Sequence, residues 1–136
     1  MLIDNELTTD PRAKILIRID SVLKERLNQS ESYFLNKFDI AVENDAVEIV
    51  EVTIPGNFDN VYSKYNEIQK VEGLDLEKYR NKTVKRYTYI VTNYDYDGTV
   101  YANMLVYKNN VIGGDVCSAD INGFMRGFTK GNDLIG

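Results

Sequence analysis

The spacing of apolar positions switches between helical and strand periods along this 136-residue chain. Between Pro11 and Asn28, the residues Ile15, Leu16, Ile19, Val22, Leu23 and Leu27 recur at helical spacing. Asp10 and Pro11 supply a cap acceptor and a preset φ. The pattern predicts a helix over 11–28, after a loose lead-in over 1–10. Ser30 or Ser32 can cap a continuation to Phe38, with Tyr33, Phe34 and Phe38 pointing inward. From Ala46 to Ile54 the period falls to two. Val47 and Ile49 take one face of a predicted strand, and Val50, Val52 and Ile54 the other. Pro55-Gly56 ends it. Asn57 caps a second helix, whose stripe is Phe58, Val61, Tyr62, Tyr65 and Ile68. Gly73 stops that helix, and Leu74 to Tyr79 adds one more turn.

Val84 to Cys117 reads as an antiparallel meander. Three β-rich runs are separated by an Asp-Gly turn at Asp97-Gly98 and an Asn-Asn turn at Asn109-Asn110. With Asn109-Asn110 as a two-residue turn, Lys108 opposes Val111. Ala102, Met104 and Val106 then share a face with Gly113, Asp115 and Cys117. Tyr101, Asn103, Leu105 and Tyr107 share the other with Ile112, Gly114 and Val116. Gly113-Gly114 marks a bulge or a close backbone approach. Phe124 and Phe128 tuck under the sheet, and the last residues fray. The expected fold is therefore α+β, a single domain over 11–136. One antiparallel sheet of about four strands carries helices on one face, in the order α-β-α-β-β-β.

Length allows one domain that buries about two-thirds of its unfolded surface. The net charge of -5 argues against a dedicated nucleic-acid binder, which carries basic excess. The chain has no His, so the commonest general base and metal ligand are missing. Its one Cys, Cys117, allows neither an intrachain disulfide nor a thiolate zinc cage. No metal or cofactor is expected. No apolar run is long enough to span a bilayer, and MLIDNELTTDP is too acidic and polar for a signal peptide, so the chain as written is expected to be soluble.

Candidate chemistry is sparse. Asn93, Asp95, Asp97 and Gly98 resemble the first half of a calcium loop, but the closing position falls on Met104. A polar hairpin tip is the simpler reading. Lys78, Arg80, Lys82, Lys85 and Arg86 crowd beside Tyr79, Tyr87 and Tyr89, a local charge reversal that suits an anionic partner. A solvated loop running into a strand gives the same pattern. Asp115, Cys117 and Asp120 cluster as weak pocket candidates, but nearby carboxylates raise a thiol pKa and no His serves as base. Asn66 and Gln69 share a helix face, where they can bond a ligand or a neighbouring strand. Glu48 and Glu51 point to opposite faces, and Asp95 and Asp97 sit at a turn tip, so neither is a good acid–base pair. P-loop, dinucleotide and G-x-S-x-G signatures are absent.

The segments EVTIPGNFDNVYSKYNEIQKVEGLDLEKY, KTVKRYTYIVTNY, VYANMLVYKNNVIGGDVCS and NGFMRGF resemble a small Gram-positive bacterial family known only as a domain of unknown function. The likeness spans about residues 33–128. It departs at Asp39-Ile40, where the family tends to carry Gly-Trp. Members are often tethered outside the cytoplasmic membrane by an N-terminal anchor, so the resemblance implies an extracytoplasmic setting. Here the predicted 11–28 helix stands where an anchor would be. The resulting expectation is a non-catalytic envelope-associated binding domain with a protein or anionic envelope polymer as partner. It reaches a membrane only through an anchor outside this chain. The alternative is a small hydrolase-like enzyme using carboxylates or Cys117.

Overall fold

The computed structural model describes residues 2–4, 15–18, 29–120 and 122–134. Among them one antiparallel sheet holds seven strands in chain order. They are β1 (Leu2–Asp4), β2 (Ile15–Arg18), β3 (Glu48–Thr53), β4 (Thr83–Ile90), β5 (Val100–Tyr107), β6 (Asn110–Ser118) and β7 (Met125–Arg126). Helix α1 (Gln29–Asn36) precedes β3, and α2 (Asn60–Val71) with a 3-10 turn (Leu76–Tyr79) joins β3 to β4. The α+β class and the single antiparallel sheet agree with the sequence reading. The strand number and element order do not.

Two corrections concern the N-terminal part. Leu2–Asp4 is a strand, not a loose lead-in, and Ile15–Arg18 is a strand where helical spacing was read. Ile15 pairs with Val52 and Leu16 with Glu51, so this β-branched run extends the sheet along β3. Residues 11–14 and 19–28 of the expected helix lie outside the described residues.

A third correction is that the helices lie on opposite faces of the sheet. Phe34 and Leu35 of α1 pack with Ile49, Tyr87, Tyr89, Ala102, Met104, Val116 and Phe128. Tyr62, Tyr65 and Ile68 of α2, with Leu76, pack with Val50, Val52, Val84, Leu105 and Ile112. The reason is that β3, β4 and β5 carry large apolar side chains on both faces, and each face needs its own cover. Fully burying one such side chain contributes roughly 1.5–3 kcal/mol.

Local signals explain the helix ends. Asp59, not Asn57, caps α2: its Oδ1 accepts from the Tyr62 amide at 2.7 Å. Gly73, with φ of 78°, follows the helix as expected. Val61 is 51% exposed and falls off the α2 stripe, as Tyr33 at 70% falls off that of α1. Glu31 is buried instead, and its carboxylate accepts from the Tyr89 hydroxyl at 3.1 Å.

The β5–β6 register also differs from the expected one. Tyr107 pairs with Asn110, so Lys108 and Asn109 form the turn, with φ of 49° and 66°. Two positive φ values match the twist of a two-residue hairpin. Between Leu105 and Val106 the register shifts by a bulge, after which Leu105 faces Gly113. A one-residue slip moves every later side chain to the opposite face. Ala102 and Met104 therefore share a face with Val116 and Gly114, whereas Asn103 faces Asp115 and Tyr101 faces Cys117. The close approach read at Gly113-Gly114 is present: a Cβ on Gly114 would meet the Asn103 carbonyl oxygen.

Candidate functional site

The register aligns polar residues from four strands in one transverse row on the α2 face. Glu48 pairs with Thr88, Thr88 with Asn103, and Asn103 with Asp115. Helix α2 packs beside this row, over Val50, Leu105 and Ile112. The row itself borders an open groove of about 390 Å³, lined by Glu48, Arg86, Thr88, Tyr101, Asn103 and Cys117 among others.

Hydrogen bonds run along the row. The Thr88 hydroxyl donates to Asn103 Oδ1 at 2.6 Å. Asn103 Nδ2 donates to Asp115 Oδ1 at 3.0 Å and to Cys117 Sγ at 3.4 Å. The Tyr65 hydroxyl, reaching down from α2, donates to Asp115 Oδ2 at 2.6 Å. Asp115 is fully buried. Each such bond adds about 0.5–1.5 kcal/mol net, but a buried partner left alone costs roughly 1–3 kcal/mol. At the other end Arg86 Nη2 donates to Glu48 Oε1 at 2.7 Å. Arg86 is buried and its Nε has no acceptor.

Two α2 side chains anchor this arrangement. Gln69 donates from Nε2 to the Gly114 carbonyl and accepts from the Gly114 amide, both at 2.9 Å, standing in for a neighbouring strand. β7 pairs with β6 only at Val116 and Cys117, so the Gly114 backbone is open to this partner. Asn66 accepts from the Leu76 amide and donates to Asp75 Oδ1 at 2.9 Å. These bonds are the structural use open to both residues. The Asn66 amide, then the Glu77 backbone amide, hold the Asp75 pKa below its ordinary value. Burial raises that of Tyr62.

The structure divides the predicted site residues. Lys78, Arg80, Lys82 and Lys85 are exposed. Arg80 pairs with Glu77 at 3.0 Å and stacks over Phe58. Arg86 turns into the groove, while Tyr87 and Tyr89 are buried in the core of the α1 face. Alternation along β4 forces this split, so the seven do not form one surface and the two tyrosines are not available for stacking. Asp115 and Cys117 do come together, through Asn103. Asp120 stands apart: it is exposed and accepts from the Tyr96 hydroxyl at 2.8 Å, which raises the Tyr96 pKa.

The calcium-like segment has a structural use. Asn93 Oδ1 accepts from the Ala41 amide and its Nδ2 donates to the Asp39 carbonyl. Among the described residues no three His, Cys, Asp or Glu side chains are placed to hold a metal ion.

Thr88, Asn103 and Tyr65 were not singled out in the sequence for the roles they play here. For Thr88 and Asn103 the signal was a polar residue in the middle of an otherwise apolar strand. Only the register shows that these interruptions align.

Fold and groove define a class: a small single-sheet α+β domain with a hydrogen-bonded polar row beside one covering helix. Residues 34–116 match the family described as a domain of unknown function, DUF4830, and the chain belongs to that family. No curated protein and no solved structure matches it. Among the described residues no helix is long and apolar enough to cross a membrane.

Proposed function

We propose that this chain is a non-catalytic binding domain of the cell envelope. The observation that carries the reading is the engagement of Asp115. Its two oxygens accept from Tyr65 and Asn103 beneath the groove surface. A general base must reach a substrate proton or a water, and a fully buried carboxylate held this way serves the fold instead. Cys117 Sγ accepts from the Asn103 amide, and the chain has no His to serve as its base. The neighbouring groove offers the Thr88 hydroxyl, the Asn103 amide and the Arg86 guanidinium beside the Cys117 thiol and the Glu48 carboxylate, which is paired with Arg86. Exposed Lys78, Lys82 and Lys85 support an anionic envelope polymer as partner, with a protein as the other candidate. The resemblance to Gram-positive, membrane-tethered proteins supports the location outside the cytoplasmic membrane.

Titration with poly(glycerol phosphate), followed by backbone amide NMR, tests the reading. Lys78, Lys82 and Lys85 amides are expected to shift, and a Lys78→Glu/Lys82→Glu/Lys85→Glu variant to lose the response. No shift in the wild type removes the anionic polymer as partner. The hydrolase reading has one favouring feature, the Asn103 link between Asp115 and Cys117. Ester turnover that disappears in Cys117→Ser would overturn the non-catalytic reading.

A further inference from the structure

The face opposite the groove carries a second feature. Arg126 of β7 pairs with Val116, which pairs with Ala102, which pairs with Tyr89. A guanidinium thus ends an otherwise aromatic and aliphatic row. Arg126 is 6% exposed. Its Nη1 donates to the Gly127 carbonyl at 2.9 Å and the Phe128 carbonyl at 3.0 Å. Its Cζ lies 5.1 Å from the Tyr94 ring centroid. No carboxylate pairs with it among the described residues, and its buried Nε has no acceptor.

Arg126 lines a cavity of about 530 Å³. Phe38, Ile40, Val91 and Phe128 supply apolar walls. A buried charge without an ion partner is costly, and charge-assisted bonds to a carboxylate are the strongest remedy. The two backbone carbonyls engage Nη1, and Nε is closed off by surrounding atoms, so Nη2 is the guanidinium nitrogen left for a ligand. Its N–H groups can donate charge-assisted bonds to a carboxylate. The mouth carries Asp39, Asp95 and Lys130, a balance that disfavours a polyanion.

We propose that this cavity binds a small organic monocarboxylate, with its head on Nη2 of Arg126 and an apolar body against Phe38 and Phe128. The site lies on the other face from the groove and does not depend on the groove's function.

Benzoate is the probe, with benzyl alcohol and inorganic phosphate as comparisons. The wild-type Arg126 Nε–Hε resonance reads the site through the guanidinium it shares with Nη2. Benzoate is expected to shift it saturably at millimolar concentration, and the comparison probes are not. Arg126→Lys keeps the charge but loses the planar guanidinium, and its benzoate affinity, read from Phe128 and Val116 amides, should fall by about tenfold or more. An unmoved wild-type Nε–Hε resonance overturns the site, whatever the variant does. Equal shifts with phosphate or benzyl alcohol overturn the carboxylate assignment. Unchanged affinity in a folded Arg126→Lys overturns the guanidinium contact.

Discussion

The two faces of this sheet are built from the same strands and solve opposite problems. On the α1 face, the row Ile49–Tyr87–Met104–Gly114 is held by packing against Phe34, Leu35 and Phe128. One residue over, on the α2 face, Glu48–Thr88–Asn103–Asp115 is held by directional bonds. The difference teaches what each side tolerates. An apolar row resists loss of volume, and a polar row resists loss of a partner.

Gly114 lies where the two rows meet, and substituting it gives the largest effect. Its φ is 149°, and an added Cβ would meet both the Asn103 carbonyl and the Phe128 ring. Gly114→Ala should cost about 4 kcal/mol or more, read by urea denaturation. The faces can then be set against each other. Leu35→Ala should cost about 3 kcal/mol, while volume-conserving Leu35→Met should cost less than about 1.5 kcal/mol. Asp115→Ala should also cost about 3 kcal/mol, because it removes the buried acceptor of both the Tyr65 hydroxyl and the Asn103 amide. Near-isosteric Thr88→Val should still cost about 1 kcal/mol, since Asn103 Oδ1 loses its donor. If volume alone ranked these variants, the contrast between the faces would fail.

The smallest effect is on pH dependence. Asp75 has a pKa below the ordinary 3.8, held there first by Asn66. Its contribution is present above that ordinary value and fades as pH falls through the folded pKa. Thermal melts between neutral pH and pH 3 should therefore show a smaller acid loss in Asp75→Asn than in the wild type.

Much of the fold was legible because local chemistry and global packing agreed. The β3, β4, β5 and β6 runs were found from alternation and turn residues, and α2 from its Tyr62, Tyr65 and Ile68 stripe. Gln69 was recognised as a side chain able to bond a neighbouring strand, which is its use at Gly114. Ile15–Arg18 failed because a short apolar run fits both periods, and the free edge of β3 decides between them. The polar row was hidden for a different reason. Its alignment depends on a bulge opposite Val111–Gly113, and no residue there announces which strand takes the extra position. Arg126 was passed over because a lone arginine beside glycine reads as surface until β7 is docked.

Disulfide trapping tests the register on which the polar row and the Cys117 environment both rest. With native Cys117 as one partner, Tyr101→Cys places a second thiol directly across β5–β6, whereas Ala102→Cys places it on the opposite face. Under mild oxidation, the account predicts loss of free thiol in Tyr101→Cys and none in Ala102→Cys. Crosslinking of Ala102→Cys, with Tyr101→Cys left reduced, would contradict it.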